Sequence, residues 1–293
     1  MGGANTVTFP RILRIIAVPL LGMALLLAGC TSKTPATRKS GKLRVAVSIL
    51  PQVYLVQKIG GPYVDVHALV PPGASHETYE PTIPQIEEMR QAQVYVKVGA
   101  PTLPFEKVWF GKLEGANPTM KVVDSSQGID FIDGDPHIWL SVRNAEIMAG
   151  NIADGLSAAD PTHKKEYAAN RDALVANLKT LDTTITGIFK GKTNRSFIVF
   201  HPAWNYFARD YNLTEVAIEQ EGKEPDPATL EKLVNKAKAD GIKCIYVEPQ
   251  FSKKSAEIIA GQLGGKTVVI DPLPSDFAGN MKKVAEDVAA GMK

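Results

Sequence analysis

Short apolar, β-branched runs alternate along this chain with longer segments whose apolar positions recur every three or four residues. LRVAVS (43–48), YVDVHALV (63–70), VYVKV (94–98) and MKVV (120–123) read as strands, whereas IPQIEEMRQA (83–92) and VRNAEIMAGNIADGL (142–156) carry a helical period. The second half repeats this grammar. SFIVF (196–200), EVAI (215–218), CIYV (244–247) and TVVI (267–270) are each followed by a helix-like segment, the last being FAGNMKKVAEDVAAGM (277–292). Strand and helix alternating at this spacing predict an α/β protein of two parallel-sheet (βα)4 lobes, each covered by helices.

Between the halves lies a different pattern. Asp160-Pro161 offers a cap followed by proline at the first helical position, and no further proline or glycine occurs until Gly187. Leu174, Leu178, Leu181, Ile185 and Ile188 form one continuous apolar stripe. A helix of about 28 residues would extend roughly 42 Å, long enough to run beside both lobes. Heptad spacing also suits a coiled-coil dimer, but the run is short and lies between two α/β halves, so packing against the lobes and a monomer are expected. The predicted organisation is a leader at 1–29, a tether at 30–42, a first lobe at 43–158, the connecting helix at 159–191 and a second lobe at 192–293.

The leader shows where the rest would function. Arg11 and Arg14 precede an apolar run from Ile15 to Ala28 that is too short and wrongly flanked for a lasting membrane span, which is the pattern of an export signal. It ends in Leu27-Ala28-Gly29-Cys30, resembling a bacterial lipobox, so cleavage before Cys30 and lipidation of that residue are expected. TSKTPATRKSGK would then be a polar tether to the cell envelope. With Arg11 and Arg14 removed from the 33 basic residues, 31 remain against 31 acidic ones. A neutral mature chain without a basic run gives no electrostatic case for nucleic acid. With Cys30 lipidated, Cys244 has no partner for a disulfide and reads as a small buried strand residue.

Chemistry gathers where strands give way to loops. His76 in PPGASHETYEP, His137 in GDPHIWLS, His201 directly after SFIVF and Asp271 directly after TVVI supply three imidazoles and a carboxylate. That set suits one borderline divalent ion, zinc first and manganese, iron or copper less well. Ligands of open parallel sheets bind beyond the carboxyl ends of the strands, where these residues are expected, two from each lobe. A single histidine is more often a satisfied core residue; the joint pattern is what argues for metal. His67, alternating within VDVHALV, and His163, beside Lys164, Lys165 and Glu166, read as structural or solvated.

At LVPPGASHETYEP, DPHIWLS, VFHPAWNYFARDYNL, EQEGKEPDP, VEPQFS and the final IDPL the chain resembles the metal-receptor lipoproteins of ABC transporters that import zinc or manganese. The resemblance covers the whole mature chain. It implies two α/β lobes joined by one long helix, a transported Zn2+ (or Mn2+) held by His76, His137, His201 and Asp271, and a membrane permease as partner. Glu77 and Glu248 are alternative or supporting ligands in this reading, and a histidine at 201 looks like the zinc branch. The chain departs from many zinc receptors in having no long His- and acid-rich loop between His76 and His137.

Other readings are weaker. AGQLGGKT (260–267) meets a relaxed phosphate-loop pattern but in reversed strand-helix order, so Gly264 and Gly265 are expected to end a helix. The acidic stretch from Glu219 to Asp226 reads as a solvated loop or a recruiter of cations, and Trp139, Trp204 and Tyr206 as packing beside the ligands. A secreted zinc hydrolase with Glu77 or Glu248 as base is the competing class, but no HExxH helix is present. A chelated-iron receptor with a similar backbone helix is a third reading, less suited to four direct ligands.

Overall fold

Every one of these apolar runs becomes a strand, because β-branched side chains pack well on a pleated surface; the central strands are largely buried on both faces and the edge strands only in part. In a computed structural model that describes residues 41–132, 134–219, 226–251 and 253–292, the first half is built from β1 (Leu43–Val47), α1 (Leu50–Gly60), β2 (Val64–Ala68), α2 (Ile83–Met89), β3 (Val94–Lys97), α3 (Pro104–Ala116), β4 (Lys121–Asp124) and α4 (Val142–Ala159). After α5 (Lys164–Ile188) come β5 (Ser196–Val199), α6 (Asn205–Asp210), β6 (Thr214–Ala217), α7 (Pro227–Ala239), β7 (Cys244–Val247), α8 (Lys253–Gln262), β8 (Lys266–Val269) and α9 (Phe277–Ala290). Cys30, the leader and all but the end of the tether lie outside the described residues, as does most of EQEGKEPDP.

The two sheets have the same topology. Strand order is β2-β1-β3-β4 in one and β6-β5-β7-β8 in the other, parallel throughout. In each, the chain leaves the first strand toward one edge and then crosses to its other side. This puts a crevice at the carboxyl ends of β1 and β3 in one sheet, and of β5 and β7 in the other.

The core explains why the lobes are not loosely hinged. One apolar cluster runs from β1, β3, α1 and α4 through Leu174, Leu178 and Ile185 of α5 to Phe197, Trp204, Phe207, Met281 and Val288 of the second lobe. The predicted stripe of the connector thus packs against α1 and α4 on one side and α9 on the other. A separate cluster seals α7 and α8 onto the outer face of the second sheet.

The connector starts differently from expectation. Pro161–His163 form a 3-10 turn before the 25-residue α5, which spans roughly 37 Å. Asp160 provides no side-chain cap; its carboxylate is taken by His163 Nδ1 at 2.5 Å and Tyr167 Oη at 2.9 Å. His163 also stacks on Tyr63 with ring centroids 3.9 Å apart, a structural role. His67 lies on the surface between Asp65 and Glu88, at 3.2 and 3.3 Å. Gly264, at φ +61°, ends α8, and a Cβ on Gly265 would meet the Lys243 carbonyl oxygen at 2.0 Å, so these glycines serve a turn. Among the described residues Cys244 is a buried free thiol, and no helix is long and apolar enough to cross a membrane.

Candidate metal centre

His76 is delivered by a turn that its sequence demands. Pro71-Pro72-Gly73-Ala74 closes with Ala74 N–H donating to Pro71 O at 3.2 Å, and Gly73 takes the positive φ of +79° that favours glycine. The loop is tied back to its own lobe by Tyr79 Oη donating to Gln85 Oε1 at 2.7 Å and Gln85 Nε2 donating to Leu69 O at 2.8 Å.

His137 is set by an Asx turn. Asp135 Oδ1 accepts the His137 backbone N–H at 2.8 Å and lies 2.7 Å from His137 Nδ1, fixing Nδ1–H as the donor and leaving Nε2 for a ligand. Asp135, which the sequence reading did not single out, is what orients His137; its signal was an aspartate two positions before a histidine. His201, two residues beyond β5, has Glu219 Oε2 3.4 Å from Nδ1 and Glu77 Oε1 3.4 Å from Nε2, and Phe251 stacks on its ring with centroids 4.7 Å apart.

The imidazoles converge. His76 Nε2 and His137 Nε2 stand 3.0 Å apart, and the His137 and His201 ring centroids are 5.4 Å apart. Two nitrogen ligands of one tetrahedral zinc are separated by about 3.3 Å, so the first pair is spaced for a shared ion. All three rings are buried. Burial, reinforced by the neighbouring imidazoles, holds the pKa of His76 well below its ordinary value, and burial with the charge of His137 lowers His201 to about 3. Both are therefore neutral at physiological pH, the state that ligates metal.

The acidic candidates separate. Glu77 joins His137, His201, Glu219 and Asp135 in lining a cleft of about 520 Å³. Asp271 is held through its Oδ1, which accepts from Leu273 N–H at 2.9 Å and from Gln250 Nε2 at 3.2 Å. Glu248 follows β7 and is fully buried. Neither of its oxygens has a partner in ordinary hydrogen-bond geometry. Burial raises its pKa to about 8, with the Trp204 indole and the His201 backbone near enough only to temper the shift. Among the described residues no three histidine, cysteine or acidic groups stand as a complete metal-holding cluster.

The chain is similar to known metal-uptake proteins. A family profile described as "Zinc-uptake complex component A periplasmic" matches residues 45–291. The chain is 29% identical over 275 residues to the high-affinity zinc uptake system protein ZnuA of Bacillus subtilis (strain 168), covering 85% of each. It is likewise 29% identical over 258 residues to the iron ABC transporter substrate-binding lipoprotein MtsA of Streptococcus pyogenes serotype M1, covering 82% of each. A crystal structure of a ZnuA superposes with a TM-score of 0.83 at 41% identity, over 85% of this chain and 99% of that one.

Proposed function

The chain belongs to the family of periplasmic zinc-uptake complex component A proteins, the metal-binding components of ABC metal uptake, and from that premise we propose that it captures a bare Zn2+ ion and delivers it to a membrane permease. The observation that carries this reading is the convergence of His76 Nε2 and His137 Nε2 at 3.0 Å, with His201 alongside. Three imidazoles form a borderline nitrogen-rich set that favours zinc over manganese, which prefers more oxygen. The fourth position goes to a carboxylate. Glu77, 3.4 Å from His201 Nε2, is one candidate for it, and Asp271, whose Oδ1 accepts from Gln250 and Leu273, is the other.

The family is a solute-binding transport component rather than an enzyme. Of the two candidate bases of a hydrolase, Glu248 is fully buried and Glu77 lines the cleft. Export and lipid attachment at Cys30, with the protein acting as a monomer outside the cytoplasm, complete the proposal. The test is metal analysis after metal-free preparation, followed by competition among zinc, manganese and iron. One equivalent of zinc, held more tightly than the others, is expected; preferential retention of manganese or iron overturns the assignment.

A further inference from the structure

The ligands divide evenly between the lobes in sequence, but not in their supports. His137 follows β4 of the first lobe, yet its loop is pinned by the second. Asn205 Nδ2, at the start of α6, donates to Asp135 Oδ2 at 3.1 Å, while the other oxygen of that carboxylate holds His137. Tyr206 Oη accepts Ile132 N–H at 2.9 Å and donates to Asp135 O at 3.1 Å. Beyond the histidine, Trp139 Nε1 donates to Pro272 O at 2.7 Å, and the Ser141 hydroxyl donates to the buried carboxylate of Asp210. The loop of His76, by contrast, is tied through Tyr79 and Gln85 to Leu69 of the first lobe.

We propose that Asp135 is a positioning residue that hands His137 to the second lobe, making His137 and His201 one preset half-site and leaving the loop of His76 and Glu77 as the half that moves on metal capture. The coupling is mechanical. Asn205 lies four residues after His201, on the helix that continues from the same loop, so a shift of that segment carries both histidines together. The Asp135 carboxylate is buried and has one oxygen for each lobe, so it transmits that shift to the His137 ring without slack. Because the ligand tautomer and the contact between lobes share one side chain, zinc affinity depends on a residue that touches no metal.

The inference rests on the receptor reading but can fail separately from it. Asp135→Asn removes the charge that holds His137 Nδ1–H and obliges Asn205 to turn its amide over to keep a bond, and is expected to weaken zinc binding about 10- to 100-fold. Asn205→Asp sets two carboxylates against each other and weakens it as well. The double exchange Asp135→Asn/Asn205→Asp restores one donor and one acceptor at unchanged net charge, and should recover most of the loss. Metal-free melting temperatures report folding independently. In long-range 1H–15N spectra of the metal-free protein, His137 should show the Nδ1–H tautomer in the wild type and a tautomer mixture in Asp135→Ala. On zinc addition, amides 74–80 should gain more hydrogen-exchange protection than amides 132–141. An unchanged tautomer in Asp135→Ala, a double exchange no better than Asp135→Asn, or greater protection at 132–141 would overturn the proposal. A wild type that binds no zinc would sink the receptor reading, while the tautomer spectra would still decide the role of Asp135.

Discussion

The two sheets share one strand order but treat the polar groups at their carboxyl ends in opposite ways. In the first lobe, Glu106 of α3 is buried and satisfied: Oε1 accepts Val98 N–H at 2.6 Å, Oε2 accepts Gly99 N–H at 2.9 Å, and Ser48 donates its hydroxyl while also meeting Tyr95 Oη at 2.7 Å. In the second, Glu248 and one oxygen of Glu215 are buried beside His201 without hydrogen-bond partners of ordinary geometry. Burial lifts both to about 8, and they repel each other. The first crevice is thus sealed by a completed network, whereas the second keeps buried polar atoms without partners of ordinary geometry beside His201. An incomplete polar environment is costly to the fold, and here it lies beside His201.

The strongest test of this contrast is the ligand set. His76→Ala, His137→Ala and His201→Ala should each weaken zinc binding by at least about 100-fold, beyond the usual cost of losing a supporting partner. His67→Ala and His163→Ala should leave it nearly unchanged. Titration calorimetry with a competing chelator reads the difference, and tight stoichiometric zinc in His201→Ala would contradict the site.

Next come the buried carboxylates. Glu106→Gln places an amide donor against backbone N–H groups and should destabilise the fold by about 1–3 kcal/mol. Glu248→Gln removes a charge that burial opposes, so it should raise the melting temperature at pH 8 and above. A fall there would show that ionised Glu248 has a partner.

The same groups set the pH dependence. The folded pKa of Glu248 is raised to about 8 from an ordinary 4.5, so its contribution to stability is full below 4.5 and is lost as pH rises through 8. His201 has the opposite sign. Its pKa falls from 6.5 to about 3, so its contribution is present above 6.5 and is lost as pH falls through 3. The metal-free protein should therefore melt highest in the mildly acidic range, with Glu248→Gln flattening the alkaline limb. Calorimetric melting across pH 4–9 should reveal this; a maximum above pH 8 would contradict it.

A smaller effect ranks the fourth ligand. Glu77→Gln should cost about tenfold in zinc affinity, about 1.4 kcal/mol, and Asp271→Asn less. The reverse order would mean that Asp271 swings in as the shell closes. The least change is expected in α5, whose stripe packs against both lobes: zinc should alter its hydrogen exchange little, and extensive protection there would refute a braced connector.

Much of this was legible in residues 43–292. Strand-length apolar runs and the stripe from Leu174 to Ile188 dictated two parallel sheets and a connector, because burial on two faces or on one stripe leaves a period in sequence. His76, His137 and His201 were legible because each stands where a strand-like run breaks. Asp135 and Glu219 were less so, since a supporting carboxylate need only lie near an imidazole nitrogen and carries no period of its own. Glu77, named as an alternative from sequence, gained its place only from the fold of the PPGA turn.

What the sequence alone determined is therefore the inventory: the elements, their order and the three histidines, all fixed by local periodicity and residue chemistry. Tertiary structure decided the allegiances. It assigned His137 to the support of the second lobe through Asp135 and Asn205, separated by 70 positions, and left Glu248 buried without ordinary partners. Such contacts join segments distant along the chain, and no local pattern encodes which of several polar side chains will meet once the sheets are closed.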